Sequence, residues 1–425
     1  MNAFLALLMF FSLPALSASI QARGPGGQTL DKVVFGQEFF VKVKGLGAFQ
    51  TVHINVQYNS FFLGKYKARI SKRSNEEGVA TFSSAELWQL RPDENIEPDI
   101  QSNHYRITAN NQVLDLEEVS FNPKVTVEKK DLAVDGYAGI WFKSNSSEAD
   151  KVIIVLSGSE GGANSLFALK LANEGYNALA LPYFGFKGLP NALERIPLEF
   201  VEPSLKAIKA AYPQKKIYIM GPSRGSELSL LLASKYREIQ GVIGIVPSHY
   251  VWGANTENFK TRSAWTWRGE DIPFNQGKGD FDLITTEDGV RAYSNRGVFE
   301  RGIEGVAIQD RHTVELKNIN GPVLLIGGED DQVWPSCDFI DEAKEILAPM
   351  NRDSEFACFA EAGHGFSLPG MSTIQRTIFQ PYMGIQLAFG GTARASGEMN
   401  QAGWQKVLSF LKGTDTLLGR WAAHK

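Results

Sequence analysis

The strongest constraint on the fold is a series of short apolar runs, each ending in a polar or glycine-rich turn. Lys151-Val152-Ile153-Ile154-Val155-Leu156 leads into Ser157-Gly158-Ser159-Glu160-Gly161-Gly162, and Ala178–Leu181, Lys216–Met220, Gly241–Val246 and Pro322–Gly327 repeat the pattern. Uninterrupted runs of this length suit strands covered on both faces. Helix-like stretches lie between them, at Leu166, Leu169, Leu171 and Ala172 and at Val201–Ala211. Strand alternating with helix predicts an α/β unit over residues 131–425, a mostly parallel sheet with helices on both faces. Ligands bind such sheets at the carboxyl ends of the strands, where the turns 157–162, 221–225 and 327–335 fall. The last helix is expected to carry Trp404, Val407, Leu408 and Leu411 on one face and to close the sheet.

Upstream the pattern changes. From Asp31 to about Val125, Phe39, Val41 and Val43 alternate with Glu38, Phe40 and Lys42, and Val52, Ile54, Val56 and Tyr58 alternate with His53, Asn55 and Gln57. One buried and one wet face, with turns at 45–47 and 74–78, predicts a small N-terminal β-sandwich over residues 23–127. A chain of 425 residues exceeds one ordinary core, so two domains are expected.

Residues 1–19 have the layout of a secretory signal peptide: apolar Ala3–Leu13, then Pro14 and the small residues Ala15, Ser17, Ala18 and Ser19. Cleavage is expected after Ser17 or Ser19, which makes the protein periplasmic or secreted. No Lys or Arg precedes the apolar stretch, so the alternative is an uncleaved segment on a cytoplasmic chain. No other stretch approaches the roughly 20 apolar residues needed for an integral membrane span. With 43 Lys+Arg against 47 Asp+Glu and no basic run, nucleic acid is excluded as a partner. The two cysteines, Cys337 and Cys358, lack zinc-site spacing, and no metal or cofactor is expected. In an exported protein they form either one disulfide or two buried thiols.

The chemistry centres on Gly221-Pro222-Ser223-Arg224-Gly225, set between the strand-like Ile217–Met220 and a helix carrying Leu228, Leu230, Leu231 and Leu232. Two glycines let the chain turn sharply, exposing the serine at a helix N-terminus. Strand, turn and helix together predict the nucleophile turn of an α/β-hydrolase. A serine hydroxyl needs a base, and the base an acid to orient it; in this fold acid precedes histidine. Asp330 is assigned as the acid, the first of the pair in Gly327-Gly328-Glu329-Asp330-Asp331, with Asp331 as alternate. His364, between Gly363 and Gly365 just past the strand-like Glu355–Phe359, is assigned as the base. The remaining histidines are set aside: His53 and His104 fall in the β-domain, His312 and His424 in polar surroundings, and His249 is at most pocket lining.

An oxyanion hole is expected from the backbone N–H of Arg224 and one from the glycine turn, at Ser159 or Glu160. Between Val246 and Glu287 the aromatics Tyr250, Trp252, Trp265, Trp267, Phe274 and Phe281 suggest a pocket wall for an apolar acyl group, with Trp252, Trp265 and Trp267 as lining.

With these residues in place, the chain resembles the acyl-CoA thioesterase and bile acid-CoA:amino acid N-acyltransferase family of the α/β-hydrolase superfamily. The likeness is carried by Gly221-Pro222-Ser223-Arg224-Gly225-Ser226-Glu227-Leu228-Ser229-Leu230, by Gly328-Glu329-Asp330-Asp331-Gln332-Val333-Trp334 and by Glu361-Ala362-Gly363-His364. Trp267-Arg268-Gly269-Glu270-Asp271-Ile272-Pro273, Gly390-Gly391-Thr392-Ala393-Arg394 and Val41-Lys42-Val43-Lys44-Gly45-Leu46 add to it. The resemblance is strongest from about 215 to 415. It implies a small-molecule acyl thioester or ester as substrate. Family members with serine behave as thioesterases and the acyltransferases carry cysteine, so Ser223 implies a hydrolase. Transfer of the acyl group to an amine or alcohol is the alternative, and a non-catalytic binding protein a remoter one. One departure stands out: acyl-CoA is cytoplasmic, and a signal peptide would separate the enzyme from it.

Overall fold

The computed structural model describes residues 18–34, 37–60, 64–84, 86, 91–92, 103–119, 125–145, 149–256, 261–350, 352–369, 371, 373, 376–380 and 384–413. Of the expected leader, residues 1–19, residues 1–17 lie outside them. The chain divides into two compact units, the first ending at Glu118 and the second taking up the chain from Val119.

In the first unit Ser19–Arg23, Phe40–Lys44 and Ala80–Ser83 form one antiparallel sheet. A second holds Lys32–Val34, Gln112–Val119, Asn103–Ala109, Thr51–Ser60, Gly64–Arg73 and Arg91–Pro92, in that order. The alternation in the sequence sets which side chains go inward: Phe39, Val41, Val43, Val52, Ile54, Val56 and Tyr58 are all buried. The Phe39 ring meets Tyr105 edge-on at 5.3 Å, joining the two sheets.

The second unit holds an eight-stranded sheet. Its strands are β1 (Val125–Lys130), β2 (Gly139–Ser144), β3 (Lys151–Val155), β4 (Asn177–Ala180), β5 (Lys216–Pro222), β6 (Ile239–Ile245), β7 (Val323–Gly328) and β8 (Glu355–Phe359). They lie in the order β1-β2-β4-β3-β5-β6-β7-β8. β2 pairs antiparallel with β1 and β4, and every other pairing is parallel. The expected domain boundary therefore falls too late. Val125–Lys130 belongs to this sheet, and its charged stretch Glu128-Lys129-Lys130, which falls between the two expected domains, is what an edge strand carries. Glu128 pairs there with Lys130 and Lys143.

Side-chain alternation along the strands builds two cores. Ile154, Ile219, Val242 and Leu325 pack on one face with α2 (Glu202–Ala211), α3 (Arg224–Lys235) and α5 (Ser336–Leu347). Ile153, Met220, Ile243 and Ile326 pack on the other with α1 (Ser165–Asn173) and α6 (Ala393–Lys412). Trp404, Val407 and Leu411 of α6 are buried there, as the helical spacing predicts. A shorter helix, α4 (Arg296–Ile303), lies in the long connection between β6 and β7. Sheet order, helices on both faces and the serine-bearing turn after β5 make this an α/β-hydrolase fold. From β3 the chain crosses first to β4 on one side and then to β5 on the other, so the loops after β3 and β5 flank a switch point, where such sheets open a crevice. Among the described residues no helix is long and apolar enough to cross a membrane.

Candidate active site

β5 ends at Pro222 and α3 starts at Arg224, so Ser223 alone makes the turn. It does so at φ 53° and ψ −124°, a backbone state that costs a non-glycine residue about 1–3 kcal/mol. The surroundings hold it there. Its N–H donates to Ile245 O at 2.9 Å. A Cβ on Gly221 would strike the Gly225 carbonyl, and one on Gly225 would strike Ser157 O, so both positions demand glycine. The serine side chain remains partly exposed.

His364 follows β8, its N–H donating to Phe389 O at 2.7 Å. Its Nε2 lies 2.9 Å from Ser223 Oγ and its Nδ1 2.8 Å from Asp331 Oδ2. Asp331 is fully buried, and its Oδ1 accepts from the backbone N–H groups of Val333 at 2.9 Å and Trp334 at 3.2 Å. Oδ2 is thus left to accept from Nδ1–H, and that tautomer frees Nε2 to take the serine proton.

The expected acid, Asp330, is not the one in contact. Its side chain is exposed; Oδ1 accepts from Gln332 Nε2 at 2.6 Å and Oδ2 from Gly391 N–H at 2.8 Å. The Asp330 N–H donates to Ala362 O, fixing the turn so that the next residue points inward. Which of two adjacent aspartates faces the histidine depends on this backbone bond, which neither spacing nor composition reveals.

At the proposed oxyanion hole, Arg224 opens α3, so its N–H has no acceptor within the helix. Ser159 lines the same cavity as Ser223, whereas Glu160 turns its carboxylate back to accept from Gly158 N–H at 2.9 Å. Tyr183 steadies this loop from below, its hydroxyl within 3.1 Å of Ser157 O and 2.9 Å of Gly158 O. Burial pushes that hydroxyl's pKa well up, so it stays a donor.

Of the expected pocket residues, Trp252 lines the cavity at Ser223, as does Phe281 from the same aromatic stretch, and Trp265 and Trp267 do not. They lie on a short strand, Trp265–Trp267, paired with Ile196–Pro197. Trp265 is fully buried in the core behind α3, donating from Nε1 to Glu227 Oε1 at 2.6 Å. Trp267 packs on Tyr236 and sits between Lys235 and Arg268. Phe299 and Trp334 take the wall positions instead. Their spacing in sequence gave no sign of this, since Phe299 comes from α4 and Trp334 from the loop carrying Asp331.

Arg224 and Glu227 form a buried pair beneath the cavity. Nη1 of Arg224 lies 3.1 Å from Glu227 Oε2, and Nη2 donates to Trp252 O at 3.2 Å and Gly253 O at 3.0 Å. Glu227 Oε1 accepts from Trp252 N–H at 3.1 Å. Burial pushes the Glu227 carboxyl pKa up, and the Arg224 charge opposes it. Cys337, at the start of α5, is disulfide-bonded to Cys358 of β8, tying together the elements that follow Asp331 and precede His364.

The family described as BAAT / acyl-CoA thioester hydrolase C terminal matches residues 196–415, just over half of the chain. The chain belongs to this family. Across 262 residues it is 24% identical to acyl-coenzyme A thioesterase 1 of Homo sapiens, covering 61% of this chain and 58% of that protein. It is also 24% identical over 267 residues to acyl-coenzyme A amino acid N-acyltransferase 1 of Mus musculus, covering 61% and 59%. The chain thus matches under two thirds of the length of these relatives. Among solved structures, a dienelactone hydrolase-like promiscuous phosphotriesterase from metagenomic libraries aligns with 68% of this chain and 98% of its own, at 13% identity and TM-score 0.40.

Proposed function

We propose that this chain is a serine hydrolase cleaving acyl thioesters or carboxylic esters, with Ser223 as nucleophile, His364 as general base and Asp331 as the residue that orients the base. The observation that carries this reading is the unbroken hydrogen-bonded series from Ser223 Oγ through His364 to a fully buried Asp331, opening on a cavity. Ser223 Oγ attacks the acyl carbonyl carbon while His364 Nε2 takes its proton. The N–H groups of Arg224 and Ser159 stabilise the oxyanion, typically by about 3 kcal/mol per donor. His364 then passes the proton to the departing thiol or alcohol as the bond to it breaks, leaving an acyl-serine. Water, deprotonated by His364, attacks that ester, releasing the acid and restoring Ser223.

Export is part of this reading. The bonded Cys337 and Cys358 fit an oxidising compartment. Ser19 already pairs with Lys44, so cleavage after Ser17 leaves that strand whole, whereas cleavage after Ser19 removes its first residue. An exported enzyme would meet esters or thioesters other than cytoplasmic acyl-CoA.

The test is release of free acid from acyl-CoAs and p-nitrophenyl esters, with Ser223→Ala alongside. Turnover that the variant loses by at least about 1,000-fold, with the fold intact, supports the reading. Equal activity in the variant sinks it. Product partitioning toward an added amine would point to acyl transfer.

A further inference from the structure

The wall of the cavity at Ser223 limits what acyl group can be bound. The space is about 140 Å³, close to that of an apolar cavity of roughly 150 Å³ that holds one benzene. Four aromatic residues line it, Trp252, Phe281, Phe299 and Trp334. Trp252 and Phe299 meet edge-to-face with centroids 4.6 Å apart, and Phe299 meets Trp334 likewise at 5.5 Å.

These rings are fixed. Trp252 and Trp334 are each 1% exposed. Trp252 Nε1 donates to Ser248 Oγ at 2.9 Å and Trp334 Nε1 to Val246 O at 3.0 Å. With both indole N–H groups satisfied by the protein, the rings offer only carbon to the cavity. The backbone of Trp252 is held as well, by Glu227. Behind it α4 leaves no slack: a Cβ on Gly302 would lie 3.2 Å from Trp252 Cζ3 and 2.6 Å from Gln276 O. On the side of these rings, a longer acyl chain would have to displace close-packed side chains.

We propose, resting on the hydrolase reading above, that the acyl half of the substrate is short or a single ring, about six carbons beyond the carbonyl at most, and that Trp252, Phe299 and Trp334 set this limit. An aromatic acyl group suits the site as well as a short aliphatic one, because the ring edges and faces already lining it accept a further ring in edge-to-face contact.

The experiment is a kcat/KM series on p-nitrophenyl and CoA esters from acetyl to palmitoyl, with benzoyl and phenylacetyl included. The expected result is a maximum between butyryl and hexanoyl, good turnover of benzoyl, and a fall of about 100-fold or more by lauroyl. Phe299→Ala, at a partly buried ring, is expected to shift the maximum to longer chains; Val298→Ala, which also lines the cavity, provides a second variant should the first fold poorly. A wild-type preference for lauroyl or palmitoyl overturns the limit and leaves the hydrolase reading standing. A chain-length profile unchanged in both folded variants also overturns it. Absence of turnover at every length by folded protein overturns the hydrolase reading and this inference with it.

Discussion

His364 Nδ1 lies 2.8 Å from Asp331 Oδ2, while neighbouring Asp330 directs its carboxylate to Gly391 N–H and Gln332. The two aspartates therefore do different work. One holds the histidine and the other holds the loop Gly390-Gly391, whose Phe389 neighbour accepts the His364 N–H. Asp331→Asn can no longer accept properly from Nδ1–H and should lower kcat by about 10,000-fold. Asp330→Asn should leave kcat within a few-fold and cost about 1 kcal/mol of stability. Parallel kinetics and denaturant melts of the two variants check this; a larger kcat loss in Asp330→Asn would reverse the roles.

Much of the fold is legible in the sequence because strands buried on both faces need continuous apolar runs. Lys151–Val155 and Val323–Gly328, buried throughout, fall where those runs stand. The edge strand Val125–Lys130 escapes the pattern because solvent on one side lets Glu128 and Lys130 occupy it, so no continuous apolar run marks it. At the site, Ser223 and His364 are marked by glycines that only a tight turn requires. The choice between Asp330 and Asp331 turns on one backbone hydrogen bond, and the walls Phe299 and Trp334 on packing between distant segments. The tryptophans Trp265 and Trp267 misled because an aromatic-rich stretch serves a core as well as a pocket.

The Arg224–Glu227 pair ties the first turn of α3 to the loop at Trp252 and Gly253. Removing one member of a buried pair strands the other charge, at about 3–5 kcal/mol. Glu227→Ala should lose that much in urea unfolding and also raise KM, because the Trp252 wall loses its anchor. Truncating both residues together should cost less than the sum of the single changes, as expected for partners in one network. Additive losses would show that the two act separately.

The Cys337–Cys358 bond closes a loop of 21 residues in sequence separation. Cross-linking a loop of that size lowers the entropy of the unfolded chain, a contribution of about 3 kcal/mol. Cys337→Ala/Cys358→Ala should unfold at correspondingly lower denaturant. Because the bond joins α5 to β8, the variant's kcat should fall more than its KM rises, as Asp331 and His364 lose a common support. An unchanged melting midpoint would show that the bond contributes nothing to stability.

His249 makes stability depend on pH in a window that can be worked out. Its ring is buried against Tyr250 and Phe339, with Nδ1 lacking a hydrogen-bond partner among the described residues. Burial pushes its pKa down from 6.5 to about 4, with the Arg311 charge helping and the nearby Phe339 backbone opposing. Glu342 Oε2, 3.5 Å from Nε2, is the nearby anion. The folded protein thus prefers the neutral ring, and between pH 6.5 and 4 the unfolded chain binds more protons, so stability falls as pH falls through that range. Above pH 6.5 the effect is absent, and below pH 4 it has grown to roughly 3 kcal/mol. His249→Phe keeps the ring packing and removes the titration. Wild type and variant should therefore run parallel in Tm above pH 6.5 and diverge below it, the wild type dropping faster. Parallel curves down to pH 4 would mean that the ring is charged in the folded state, with Glu342 rather than burial deciding its protonation.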